Sequence, residues 1–139
     1  MKPRHNPLAD SINPYIYPGL YFNSREGKIN NLNISDYEAI IRHVSDFFRI
    51  PVEQVKSPLR KKEVMFPRQI AMHILYVHTA ATFKKIAVMF NRDHSTIVVS
   101  KDRVEDLLDT DKRYHKKYRE CFAYVVSKIP EMQHTYKNK

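Results

Sequence analysis

From residue 35 onward the chain repeats apolar residues at helical spacing. Tyr37, Ile40, Ile41, Val44, Phe47 and Phe48 mark one face of an amphipathic helix. Ser35-Asp36-Tyr37-Glu38 has capping-box spacing and predicts the start of this first helix, which runs to about Arg49. Pro51 opens a short turn, Val52-Glu53-Gln54-Val55, and a basic loop from Lys56 to Lys62 follows. A second long helix is predicted over Val64 to His78, with Ile70, Ala71, Ile74, Leu75 and Val77 as its buried stripe and Pro67 confined to its opening turn. Thr82 is the predicted N-cap of a third helix carrying Phe83, Ile86, Ala87 and Phe90 inward, and Asp93 that of a fourth. The fourth buries Ile97, Ser100, Val104, Leu107 and Leu108. With Thr110 as its cap, a last helix runs from Asp111 to about Ile129. It sets Tyr114, Tyr118, Cys121, Phe122, Val125 and Ile129 against the basic face of Lys112, Arg113, Lys116, Lys117 and Arg119. No strand alternation and no internal repeat interrupts the pattern, so the expected fold is all-α.

Between the third and fourth helices only Asn91 and Arg92 separate Phe90 from Asp93. Two helices joined by so short a turn form a helix-turn-helix candidate. With Ile97, Ser100, Val104 and Leu108 inward, Ser95, Val99, Asp102 and Asp106 point outward. Asp93, His94, Ser95 and Val99 would then share one surface at the tip. A helix entering the major groove presents such first-turn side chains to base edges, where aspartate accepts from cytosine, serine donates or accepts, and valine meets a thymine methyl. The same spacing also fits an ordinary capped helix.

Residues 1–33 read as an irregular arm holding Pro3, Pro7, Pro14, Pro18 and both glycines. Ile12, Tyr15, Ile16, Tyr17, Leu20, Tyr21 and Phe22 are too apolar for a solvated linker. The arm is expected to pack on its own domain, on a partner protein or on a second copy. Residues 34–130 form the helical domain, and residues 131–139 a basic tail.

Charge narrows the class of partner. In 139 residues the net charge is +9, which favours a polyanion such as nucleic acid, with an anionic membrane surface as the lesser alternative. Arg60, Lys61 and Lys62 in the basic loop suit phosphate contact, and an arginine there could enter a narrow minor groove over A·T-rich steps. Arg68, Gln69, Lys84 and Lys85 are candidate phosphate clamps. Arg92 and Thr96, flanking the tip, complete the candidate DNA-contacting set.

Other chemistries lack their residues. The single cysteine, Cys121, excludes an internal disulfide and a Cys-rich zinc site, and its setting suggests a core thiol. Seven histidines include no His-x-x-x-His pair, so no metal site is expected. Neither glycine opens a phosphate-binding loop: Gly27-Lys28 is followed by Ile29, and Phe22 stands five before Gly27. No cofactor, nucleotide or catalytic residue is expected, and no apolar run reaches the ~18 residues of a membrane span. A cytoplasmic protein is the expectation.

Two motifs then carry a resemblance. Phe66-Pro67-Arg68-Gln69-Ile70-Ala71-Met72 followed by Phe90-Asn91-Arg92-Asp93-His94-Ser95-Thr96-Ile97 resembles the C-terminal DNA-binding domain of the bacterial replication initiator DnaA. That family's signatures read Pro-Arg-Gln-x-Ala-Met and Gly-Arg-Asp-His-[Ser/Thr]-Thr-[Val/Ile]. The likeness covers about Ile34 to Leu108. It implies a Trp-repressor-like helical domain that binds A·T-rich DnaA boxes of the TTATNCACA type. It also implies base contacts for Asp93, His94 and Ser95, a backbone contact for Thr96, minor-groove entry for Arg60 and a phosphate contact for Gln69.

This sequence departs from the family in ways that bear on box preference. Where the family usually has Phe-Gly-Gly-Arg-Asp-His, this chain has Phe90-Asn91-Arg92-Asp93-His94, one residue shorter and without glycine, with Asn91 able to supply the left-handed conformation. Ser95 replaces the commoner threonine, and Pro58 and Leu59 stand where basic residues are frequent. The family's ATPase module has no counterpart in these residues, so the expectation is a stand-alone, non-enzymatic, sequence-specific binder of double-stranded DNA in replication initiation or its regulation. A transcriptional regulator, or an adaptor that docks replication or recombination proteins through the arm, remains the alternative.

Overall fold

The computed structural model describes residues 32–129 and Met132. Apart from Leu32, Asn33 and Met132, the arm predicted over 1–33 and the tail predicted over 131–139 lie outside the described residues. Leu32 and Met132 are both buried in the core.

Among the described residues the regular elements are six helices, as the all-α expectation requires: α1 Ile34–Phe48, α2 Val52–Val55, α3 Lys62–His78, α4 Phe83–Phe90, α5 His94–Thr110 and α6 Lys112–Lys128. α1 starts one residue before the predicted Ser35 box. Asn33 accepts from the Asp36 N–H and Asp36 accepts from the Asn33 N–H, both at 3.0 Å. Asn33 and Asp36 form the same reciprocal box two positions upstream, and Ser35 falls inside the first turn. Tyr37, Ile40, Ile41 and Val44 are buried, while Phe47 and Phe48 sit at the edge of the core. Arg49 ends the helix in the left-handed region, φ 60°. The predicted turn after Pro51 is the single helical turn α2.

α3 lies at the centre, packed against α1, α2, α4 and α5. It begins two residues earlier than predicted, so Lys62 is its first residue and Pro67 falls in the second turn, not the opening one. Proline there removes one helical hydrogen bond. The carbonyl that loses it belongs to Glu63, which is exposed, so water can take that bond. Nor is burial confined to the predicted stripe. Every residue from Ile70 to Leu75 is buried, His73 among them, because neighbours cover α3 on most sides.

His73 reaches two other helices. Its Nδ1 lies 2.5 Å from the Tyr118 hydroxyl on α6, and its Nε2 lies 3.3 Å from Glu105 Oε2 on α5. Burial lowers the imidazole's pKa, whereas hydrogen bonds and charge from His73 and Lys101 outweigh burial and hold Glu105 below the usual carboxylate value. A neutral ring facing an ionised carboxylate carries its proton on Nε2, so Nδ1 accepts from Tyr118. α6 buries the predicted Tyr114, Tyr118, Cys121, Phe122 and Val125. Burial pushes the Cys121 thiol well above its ordinary value, leaving it unreactive. Asp111, not Thr110, caps α6 by accepting from the Arg113 and Tyr114 N–H groups at 3.0 and 3.1 Å. Thr110 instead ends α5, its hydroxyl donating to the Asp106 carbonyl at 2.8 Å.

The buried imidazole makes stability acid-sensitive. His73 has a folded pKa below the ordinary 6.5, so the unfolded chain binds the proton first and stability falls as pH drops below that value. Glu105, depressed below 4.5, adds a second loss at lower pH. Thermal unfolding followed by circular dichroism should show Tm falling between pH ~7 and ~5, and the fall should flatten in His73→Gln.

Candidate nucleic-acid interface

The helix-turn-helix is built by α4, a tight turn and α5. Thr82 caps α4 as predicted, its hydroxyl accepting from the Lys85 N–H at 3.1 Å. At the other end Asn91 adopts φ 54°, ψ 52°, the left-handed conformation that a glycine would supply at no steric cost. The Asn91 and Arg92 N–H groups donate back to the Val88 and Ala87 carbonyls at 3.2 and 2.8 Å, a Schellman closure. The two-residue turn therefore closes by a standard route.

Asp93 occupies the N-cap position of α5, yet its side chain makes no capping hydrogen bond. Its carboxylate stays available to an outside donor. Asp93, His94, Ser95 and Thr96 are all exposed, and Val99, one turn on, is 66% exposed, while Ile97, Ser100, Val104 and Leu108 are buried. Outward placement of Ser95 and Val99 follows the expected register.

His94 has a partner that its sequence position does not suggest. The Phe83 ring meets its imidazole edge-on at 5.4 Å and 78°. Phe83 in turn stacks parallel on Tyr76 of α3 at 4.0 Å. Helical spacing alone made Phe83 a core residue; here it lies half-buried between the core and the tip of α5.

The basic loop is held by two arginines. Arg68, 7% exposed, donates from Nε to the Val55 carbonyl at 2.9 Å and from Nη2 to the Gln54 carbonyl at 3.3 Å. Arg92 donates to the Ser57 carbonyl. Carbonyls at the end of the one-turn α2 and just beyond it thus take guanidinium donors from α3 and from the turn before α5. Burial, and then the charge of Arg92, lower the Arg68 pKa to about 10, which still leaves it charged at neutral pH. Arg68 and Arg92, read from the sequence as DNA contacts, are here engaged in holding the loop in place. The only sequence signal for this was an arginine embedded in the apolar run Met65 to Met72.

Arg60 and Lys61 are exposed in the loop, and Lys61 stands at the N-cap of α3. Lys62 is exposed on α3, with its Nζ 5.8 Å from the Phe66 ring centroid. Lys84 and Lys85 are exposed on the first turn of α4, and Gln69 is half-buried. Five of the predicted residues, Arg60, Arg68, Gln69, Arg92 and Thr96, come together with Pro58, Met65, Met72 and Ser100 around one cavity of about 150 Å³. The lysines, Asp93, His94, Ser95 and Val99 lie outside that lining. Among the described residues no His, Cys, Asp and Glu cluster is placed to hold a metal, and no helix is long and apolar enough to cross a membrane.

Comparison with known proteins converges on the same segment. A family described as "Bacterial dnaA protein helix-turn-helix" matches residues 37–104. Similar curated proteins include the chromosomal replication initiator protein DnaA of Trichormus variabilis, 37% identical over 76 residues, and those of Thermus thermophilus, 38% over 74, and Geotalea daltonii, 40% over 75. These alignments cover 52–54% of this chain but only 16–17% of each relative. The chain therefore spans about a sixth of the length of the relatives it matches.

Two substitutions test the local geometry. Arg68→Met leaves the Val55 and Gln54 carbonyls without their donor and should lower stability by about 1–3 kcal/mol in urea unfolding, with faster amide exchange across 54–61. At the turn, Asn91→Gly should match or exceed the parent in stability, whereas Asn91→Ala should lose ~1 kcal/mol.

Proposed function

We propose, on the match of residues 37–104 to the bacterial DnaA helix-turn-helix family, that this chain binds double-stranded DNA at a DnaA-box-like site in replication initiation or its control. One observation carries the reading. The uncapped Asp93 carboxylate and the exposed His94, Ser95 and Val99 share the first turns of α5, and Arg92 ties the loop bearing Arg60 to the same turn. A major-groove reader and a minor-groove arginine are thereby offered from one rigid body.

In this mechanism Asp93, His94 and Ser95 contact base edges and Val99 meets a thymine methyl. Arg60 enters the adjacent minor groove. Thr96, Gln69, Lys61, Lys62, Lys84 and Lys85 contact the backbone, supplying affinity without sequence information. Arg68 and Arg92 act mainly by fixing the loop. Phe83 holds the His94 ring in position before DNA arrives, so less side-chain freedom is lost on binding. The role needs no catalytic group, cofactor or nucleotide.

Titration of a DnaA-box duplex against a scrambled duplex at two salt concentrations tests the reading. Affinity for both should fall with salt through counterion release, and the box should keep its advantage at the higher salt. Arg60→Ala or His94→Ala should each cost about 1–3 kcal/mol on the box and less on the scrambled duplex. Equal losses on both would remove sequence reading, and a box-to-scrambled ratio near one at high salt would favour an adaptor role.

A further inference from the structure

We propose that the cavity between the basic loop and α5 is a seat for a free tetrahedral oxyanion of the phosphate class, and that an anion held there competes with duplex DNA. The competition rests on the DNA-binding reading above; the seat does not.

The lining is one-sided in charge. Arg60, Arg68 and Arg92 contribute three guanidinium-bearing side chains, and no carboxylate lines the cavity. Arg68 is more than nine-tenths buried, and its bonds to Val55 and Gln54 use two of its five N–H donors. The lowered pKa of Arg68 records the repulsion from Arg92 in addition to burial. An anion between the two guanidiniums would offset the repulsion.

A second observation points into the same space. The Ser100 hydroxyl is buried and has no hydrogen-bond partner, although Ser100 lines the cavity. Buried hydroxyls are normally satisfied, so an orphaned one beside a cavity marks a place for a ligand or water oxygen. Ser100, Thr96 and Gln69 add neutral hydrogen-bonding groups to the arginine forks, and the lining comes from the loop, α3, the turn and α5. Donors arriving from four elements suit the four oxygens of a tetrahedral ion better than the two of a planar carboxylate. About 150 Å³ is room enough for such an ion.

Depth separates the two sources of phosphate. Thr96 is exposed at the mouth, but Ser100, one turn further along α5, is only 9% exposed. A phosphodiester fixed between two sugars of a duplex stops at the mouth, whereas a free ion can descend to the Ser100 hydroxyl. The ion would sit against Arg60, Gln69 and Thr96, the side chains assigned above to DNA, and so exclude the duplex backbone.

The probe is inorganic phosphate, titrated into the full chain and followed by amide chemical shifts, with chloride at matched ionic strength as the control. Saturable shifts at Gln69, Thr96 and Ser100 in phosphate, absent in chloride, are expected. Ser100→Ala should weaken phosphate by ~5-fold while leaving duplex affinity in chloride unchanged. Duplex affinity should be lower in phosphate than in chloride for the parent protein, and that difference should shrink in Ser100→Ala. Shifts that do not saturate, or that chloride reproduces, overturn the seat. Saturation with unchanged duplex affinity overturns the competition. If phosphate saturates while box and scrambled duplexes bind alike, the sequence-reading proposal falls and the seat stands.

Discussion

A helix buried on most sides must find hydrogen-bond partners for every polar group it carries inward, and α3 carries two that govern its neighbours. Arg68 is satisfied by the Gln54 and Val55 carbonyls, and His73 by Tyr118 and Glu105. An unpaired buried charge or imidazole would be costly, so each bond also dictates where its partner must lie. Arg68 thereby draws the end of α2 and the start of the basic loop against α3. His73 docks α5 and α6 onto the same helix from another side. Apolar packing of Ile70, Ala71, Ile74 and Leu75 supplies the bulk of the cohesion but no comparable specification of position.

The orientation of α5 follows from that arrangement. Glu105 is fixed through His73, and Lys101 adds a 3.3 Å ion pair to it on the same helix. Glu105 lies eleven positions along α5 from His94, roughly 16 Å of helix, so a small tilt at the anchor would displace the exposed tip. Two further contacts limit it there. Phe83 meets His94, and the Asn91 closure sets the angle at which the chain leaves α4. The tip is held from the core, from the preceding helix and through the turn.

Positive charge is distributed in two ways with different consequences. Lys61, Lys62, Lys84 and Lys85 are exposed, and their charge is screened and able to steer a polyanion. Arg68 and Arg92 are partly or wholly withdrawn from water and donate to carbonyls, so their charge is less screened. The guanidinium tolerates this because it is weakly hydrated and offers a fork of donors, which at Arg68 reaches two carbonyls at once. Between these two arginines and Arg60 lies the cavity whose buried Ser100 hydroxyl has no partner.

Much was determined by the sequence alone. Apolar residues at helical spacing marked the long helices α1, α3, α4, α5 and α6, because periodic burial is a local property of the chain. The same periodicity placed Ser95 and Val99 outward on α5, and the motifs around Arg68 and Asp93 pointed to the family. Ends of elements were less legible. Asn33 and Asp36 displaced the Ser35 box, Asp111 displaced Thr110, and Pro67 fell in the second turn of α3, since competing caps differ by about 1 kcal/mol or less and packing decides among them. Only the tertiary structure decided that Arg68 and Arg92 hold the loop, that Phe83 supports His94 and that His73 sits in a buried network. Each of these depends on a partner distant in the chain, 13, 35, 11 and 32 to 45 residues away, and spacing along one sequence carries no record of such contacts.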